Sequence, residues 1–293
     1  MRNMARTSRI KRRASDGVVQ GKGGIGRIFA YIGLILLAII CLLPFAIMLL
    51  NATQSHVDLS TRLSLLPGSS LVHNYTAMLE AIDIWRYLLN SVLVAVPSVL
   101  LTAYIGTLAA YGFEKFEFKG KKLAFGLAMT MMIIPGQISL IGMYQIYADL
   151  KMLNTLWTVI LPSAANVLTV YWMRSYIYQV IDSALIESAT IDGCGELRIF
   201  HSIILPLCKT GIMTISIMNF VSIWNDYISP LTFITSKSKY TLPVGIAFYR
   251  NESFVDLGAM YMAMAISTLV MVLIYVLFNS QIIGNVADGA VKG

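Results

Sequence analysis

The 293-residue chain is 57% hydrophobic and 13% charged, with a mean hydropathy of +0.72, whereas a soluble globular chain carries about 25% charged residues. That balance excludes a soluble enzyme or binding module and defines a protein that crosses a bilayer several times. The excess of 22 Lys and Arg over 15 Asp and Glu, a net charge of +7, is explained by loop asymmetry rather than by nucleic acid. Cys41, Cys194 and Cys208 lack metal-ligand spacing, and an odd count with none in an outer loop gives no disulfide framework.

Residues 1–27 form a basic tail holding Arg2, Arg6, Arg9, Lys11, Arg12, Arg13, Lys22 and Arg27, an orientation signal placed directly before an apolar run. That run, 28–50, is longer than a signal-peptide core of about 7–15 residues and has no small-residue cleavage site after it, so a retained first span is expected. Five more runs, 87–111, 123–147, 155–176, 210–228 and 259–283, each approach the roughly 20 residues that a 30 Å hydrocarbon core requires. The expected fold is therefore all-α, a polytopic membrane protein of six transmembrane helices. Residues 28–284 make one membrane domain, and 285–293 a short C-terminus.

An even number of spans puts both termini on one side, and charge chooses the side. The tail, Lys115, Lys119, Lys121, Lys122, Arg174, Arg198, Lys209 and Lys292 share one side, against Arg62, Arg86, Lys151, Lys237, Lys239 and Arg250 on the other. Both termini are thus expected in the cytoplasm. In the first outer loop, Leu71, Tyr75, Met78, Leu79 and Ile82 recur at helical spacing and predict an amphipathic helix over 72–84. The second outer loop, 229–258, contains Tyr240-Thr241-Leu242-Pro243-Val244-Gly245, whose Pro and Gly argue for a fixed loop.

Polar interruptions mark a route through the bundle. Pro135-Gly136, with Gln137 beside it, interrupts the third run and predicts a kink whose freed carbonyls need protein or water. Pro135, Gln137, Tyr144, Asn219 and Asn225 are the expected pathway-lining residues, while Trp224 and Tyr227 read as an interfacial anchor. Chemistry is missing. There is no phosphate-cradling Gly-rich loop and no His-Glu-x-x-His, and His56, His73 and His201 fall in loops. Intramembrane carboxylates of the kind that drive secondary transporters are nearly absent. The driving energy is therefore expected from another polypeptide.

Residues 183–206, between the fourth and fifth runs, read as two short cytoplasmic helices joined by Gly193-Cys194-Gly195. Ser183 is the expected cap, with Glu187 in the first turns where the helix dipole favours an anion. Gly193 and Gly195 supply the sharp turn. Leu197, Phe200, Ile203 and Ile204 form one apolar stripe, and Ala189 and Gly193 are small enough for a partner backbone to come close.

Glu187-Ser188-Ala189, Gly193 and the closing Leu205-Pro206 resemble the EAA loop of permease subunits of ATP-binding-cassette importers. Met173-Arg174-Ser175-Tyr176, Ile191-Asp192-Gly193, Asn90-Ser91, Leu153-Asn154-Thr155, Trp224-Asn225-Asp226 and the terminal Gly289-Ala290-Val291-Lys292-Gly293 narrow the resemblance to the carbohydrate-importer branch. Ser188 replaces the usual middle alanine, and Ile181-Asp182 stands where the family often has Ile-Pro, which would loosen the start of the loop.

The resemblance implies a type I ABC importer transmembrane domain in a bacterial plasma membrane. It implies a second, non-identical permease, two copies of a cytoplasmic ATPase and an extracellular solute-binding protein that delivers a carbohydrate. This chain would bind no cofactor or metal, and ATP and magnesium would sit on the ATPase. By the same resemblance Glu187, Ser188, Ala189, Asp192 and Gly193 would couple to the ATPase, and Tyr240 to Gly245 would contact the binding protein. A non-sugar ABC permease and an ion-driven carrier are the alternatives.

Overall fold

The computed structural model describes residues 25–61, 65–250 and 256–290, with side chains from 26 to 276. Most of the basic tail, Arg62 and the terminal 291–293 lie outside the described residues. The chain divides into two units, 1–50 and 51–293. The first contributes α1 (Ile25–Asn51), whose stretch Gly26–Asn51 is long and apolar enough to cross a membrane.

All regular elements of the second unit are helical among the described residues. In order they are α2 (His56–Thr61), α3 (Leu71–Ala81), α4 (Ile84–Lys115), α5 (Lys121–Met131), α6 (Gly136–Asp149), α7 (Trp157–Ile160) and α8 (Val167–Val180). A 3-10 turn, Leu161–Ala165, separates the last two. There follow α9 (Ser183–Ile191), α10 (Glu196–Leu207), α11 (Lys209–Trp224), α12 (Ile228–Phe233), α13 (Leu242–Arg250) and α14 (Leu257–Ala290).

Helix α4 is the centre of this unit. Ser91, Ala95, Ser98, Thr102, Ala103, Gly106, Thr107 and Ala110 are all buried along it. Small residues at that spacing let helices approach closely without a bulky side chain between them, and α8 and α11 pack on this face. Among the described residues α4 and Leu257–Val276 of α14 join α1 as helices long and apolar enough to span.

Four expectations are corrected. The third run is broken rather than kinked: α5 ends at Met131, α6 begins at Gly136, and the two are bent by 101°. Proline lacks the N–H that would continue the ladder and pushes its predecessor out of helical geometry, so Pro135 starts a new helix, its carbonyl accepting from the Ile138 N–H. The fourth run is likewise divided, by the 3-10 turn containing Pro162 and by extended Asn166 (ψ 99°). The second outer loop holds helices α12 and α13, and Pro243 is tolerated because it occupies the first turn, where no intrahelical N–H bond is lost. Trp224 is buried, stacked on Phe220 at 5.4 Å, and is no interfacial anchor.

The amphipathic helix exists as α3, but its inward face differs from expectation. Met78 and Ile82 are buried while Leu71 and Leu79 are exposed. The inward face also carries buried Asn74, whose Nδ2 donates to the Ala52 and Gln54 carbonyls at 2.8 Å each and so ties α3 to the chain that precedes it.

Candidate functional site

The loop between α8 and α11 is built on a hydrophobic base. Ala189 of α9 and Ile199, Phe200 and Ile204 of α10 pack with Tyr111, Met173, Ile177, Ile181 and Cys208. The cap of α9 is Asp182, not Ser183: its Oδ1 accepts from the Ala184 N–H at 3.0 Å. The Asp that departs from the family pattern thus fixes the start of the loop instead of loosening it.

At its far end α9 closes with a Schellman arrangement, Cys194 N–H to Ala189 O and Gly193 N–H to Thr190 O, each 3.0 Å. Gly193 is left-handed there (φ +81°), whereas Gly195 has an ordinary φ of −74°. The two glycines are therefore not equivalent. Gly193→Ala is expected to cost about 1–2 kcal/mol from forcing a Cβ into that region, and Gly195→Ala, with open space around it, less than about 0.5. Thermal melting of the two variants side by side checks this.

Outside that base the loop presents Leu185, Glu187, Ser188, Ile191, Asp192 and Gly193 to solvent. Ile191 is 85% and Leu197 66% exposed. Leu197 thus faces outward, contrary to the expected stripe, and Ile199 takes the inward place. Two residues apart on an α-helical turn, Leu197 and Ile199 point to opposite sides, and Ile199 is the one that packs beside Phe200; the Phe200–Ile204 stretch that follows winds as a π-helix, which changes the spacing of the rest of the stripe. Of the five expected coupling residues, Glu187, Ser188, Asp192 and Gly193 lie on the exposed face, and Ala189, at 9% exposure, packs into the base.

A cavity of about 480 Å³, lined by polar and apolar side chains alike, lies among α6, α7, the 3-10 turn, α11 and α12. Gln137 and Asn219 line it, together with Ser163, Asn166, Ser222 and Asp226. Its wall is preorganised. Asn166 Oδ1 accepts from the Thr169 N–H (2.9 Å), and Asn219 Nδ2 donates to Thr169 Oγ1 (2.9 Å). Asp226 Oδ1 accepts from the Ser229 N–H at 3.1 Å. Tyr144 and Asn225 do not line this cavity; Tyr144 points outward and Asn225 Nδ2 donates to the Val221 carbonyl at 2.8 Å. Pro135 adjoins the cavity through Gly136. Asn166 and Ser163 were missed because 155–176 was read as one helix, although Pro162 and an Asn able to cap the next helix mark the interruption.

The third candidate segment is held against α4. Tyr240, Thr241, Leu242, Val244 and Gly245 are buried, and Pro243 is half-buried. Asn90 Nδ2 donates to the carbonyls of Ser238 (3.0 Å) and Tyr240 (2.9 Å), and the Leu242 N–H donates to Ser91 Oγ (2.8 Å). Asn154, left-handed at φ +58°, ties the preceding stretch: its Oδ1 accepts from the Thr235 and Ser236 N–H groups.

The described residues thus form an all-helical unit with apolar helices long enough to span a membrane, a cavity lined by polar and apolar side chains, and an exposed loop seated on its own small core. The chain belongs to the family described as binding-protein-dependent transport system inner membrane component, whose model matches residues 80–283.

It is 32% identical over 253 residues to the melibiose/raffinose/stachyose import permease protein MelC of Bacillus subtilis (strain 168), covering 86% of this chain and 91% of the relative. It is also 32% identical over 274 residues to the trehalose/maltose transport system permease protein MalG of Thermococcus litoralis, covering 91% and 97%. The fold matches a crystal structure of a bacterial ABC transporter involved in the import of the acidic polysaccharide alginate, with a TM-score of 0.77 at 19% identity over 89% of this chain and 99% of that one.

Proposed function

We propose that this chain is a membrane-spanning permease subunit of an ATP-driven importer of sugars or oligosaccharides. It forms half of the pathway with a second, non-identical permease and couples through residues 183–206 to one of two copies of a cytoplasmic ATPase. An extracellular binding protein delivers the solute, and ATP and magnesium act on the ATPase. The loop supplies a lever. Closure of the ATPase pair draws it inward, and the bundle turns from inward-open to outward-open.

One observation carries this reading: Ile191, one helical turn beyond Glu187, is 85% exposed and Leu197 66% exposed, on a loop whose inner residues Ala189, Ile199, Phe200 and Ile204 pack into a hydrophobic base. Apolar side chains held rigidly in water mark an interaction surface. Six spans with both termini in the cytoplasm of a bacterial cell fit the distribution of Lys and Arg, with each bent or divided helix pair counted as one span. The loop and residues 237–242 pack against opposite ends of α4, which agrees with their facing opposite sides of the membrane. For residues 240–245, burial leaves the neighbouring exposed Lys237, Ser238, Phe248 and Arg250 as the groups of this element that meet the binding protein. The sugar substrate class rests on the relatives named for melibiose, raffinose, stachyose, trehalose and maltose import.

The test is reconstitution with the co-encoded partners. Glu187→Ala, which removes an exposed charge worth about 0–1 kcal/mol, is expected to lower transport and binding-protein-stimulated ATP hydrolysis up to about fivefold. Ile191→Asp is expected to abolish ATPase co-purification while leaving the melting temperature of the chain alone unchanged. Unchanged transport and hydrolysis in both variants would refute the coupling role, and stimulation only by a non-sugar solute would refute the substrate class.

A further inference from the structure

We propose that α4 is a strut carrying displacement between the coupling loop, the cavity wall and the 237–242 segment, fastened at both ends by side-chain hydrogen bonds. The proposal rests on the functional reading above.

Tyr111, Glu114 and Lys115 stand at i, i+3 and i+4 and so share one face of the last turn of α4. Each holds a different piece of the loop region. Tyr111 OH donates to Glu196 Oε2 at 2.9 Å, at the start of α10. Lys115 Nζ donates to the Ile181 carbonyl at 2.9 Å and to Ser183 Oγ at 3.3 Å, at the start of α9. Glu114 Oε2 accepts from Arg174 Nε of α8 at 3.0 Å, and the same guanidinium lies 4.2 Å over the Phe125 ring. One helical turn therefore grips both arms of the coupling loop and the helix that leads into it.

At the other end the first turns of α4 grip the second segment. Asn90 and Ser91 make the bonds already described, and Arg86 Nε donates to the Ser238 carbonyl at 3.2 Å. Midway, Thr102 Oγ1 donates to the Ser163 carbonyl at 2.7 Å, while the Ser163 hydroxyl donates to the Ile160 carbonyl at 2.6 Å with the Ser98 carbonyl 3.2 Å away. Ser163 lines the cavity. From Ser91 to Tyr111 the helical rise gives about 30 Å, the thickness of the hydrocarbon core.

Packed helices without such fastenings accommodate motion by sliding past one another. Several of these bonds are buried or half-buried, where breaking one exposes an unsatisfied group in a low dielectric. Movement of the loop is thereby passed to Ser163 and to the Ser238–Leu242 backbone rather than absorbed at the contacts.

The experiment compares Tyr111→Phe, Ser91→Ala and the double variant in the assembled complex in nanodiscs, measuring ATP hydrolysis with and without the binding protein, and thermal melting. Each single variant is expected to lower the binding-protein stimulation about five- to tenfold, the size of one hydrogen bond's coupling, with basal hydrolysis within about twofold. The links lie in series, so the double variant is expected to be no worse than the more affected single one. Melting losses at sites some 30 Å apart should add instead, which separates transmission from simple destabilisation.

Unchanged stimulation in either single variant, or losses that multiply in the double, would overturn the strut. Should Ser91→Ala fail to assemble, Arg86→Gln at an exposed position removes an outer-end bond in its place. A wild-type complex that hydrolyses ATP without any response to the binding protein would overturn the functional reading, and the strut with it.

Discussion

Replacing Phe200 by alanine is expected to destabilise the base of the coupling loop by about 3–5 kcal/mol. The ring is fully buried, edge-on to Tyr104 with centroids 5.8 Å apart and tilted against Tyr111 at 5.9 Å. Removing it opens a void beneath α10 that neither Ile199, on the α-helical turn before it, nor Ile204, at the end of the π-helical stretch, can fill. The loop should then lose its fixed seating, and ATPase recruitment should fall with it. Limited proteolysis between Gly193 and Glu196 reads the seating, and co-purification reads the recruitment. Leu197→Ala, three residues earlier and largely exposed, is the control: stability within about 0.5 kcal/mol of the parent, recruitment reduced. Equal melting temperatures for Phe200→Ala and the parent would contradict the base as described.

Gly245→Ala is expected to be the most damaging single-methyl addition in the outer segment. A Cβ at that position would run into the ring of Tyr87, itself buried and 6.3 Å from the Tyr240 ring. Tyr87 sits in the first turns of α4, so neither partner withdraws without moving a helix. Overpacking of this kind costs about 1–3 kcal/mol, and in a chain of this size a shift of roughly 2–4 °C per kcal/mol. The double variant Gly245→Ala with Tyr87→Leu should recover part of the loss because the smaller side chain leaves room. Absence of recovery would place the damage elsewhere than at this contact.

Much of the fold was legible because a bilayer leaves few options: apolar runs of sufficient length must be helical. What sequence reading missed was internal geometry. Runs 123–147 and 155–176 satisfied the length rule, yet Pro135, Pro162 and Asn166 divide them, and the divisions shape the cavity. Hydropathy measures how apolar a run is and says nothing about its straightness. In the loop, Glu187, Asp192 and Gly193 were found on the exposed face because their residue types serve caps, turns and charge. The outward position of Leu197 was not legible, since a stripe of four residues over so short a helix leaves open whether Leu197 or Ile199 joins Phe200 inside, and the π-helical stretch after Ile199 alters the period further on. Asn154, Asn90 and Ser91 were noticed as matches to a family pattern, but their work of holding residues 235–242 needs long-range contacts that no local window contains. The opposite surprise was Asp182. Judged as a departure from that pattern it predicted a loosened loop, whereas as a residue type it is a good cap, and the capping physics prevailed.

The cavity and the base of the coupling loop have no lining residue in common: one is built from 136–166 and 219–233, the other from 110–111, 173–215 and their neighbours. Substitutions that reshape the first leave the packing of the second intact. On the function proposed above, solute choice would drift by mutation while the connection to the ATPase stayed constant, and such chains would diverge in what they carry yet remain interchangeable at the surface that receives the work.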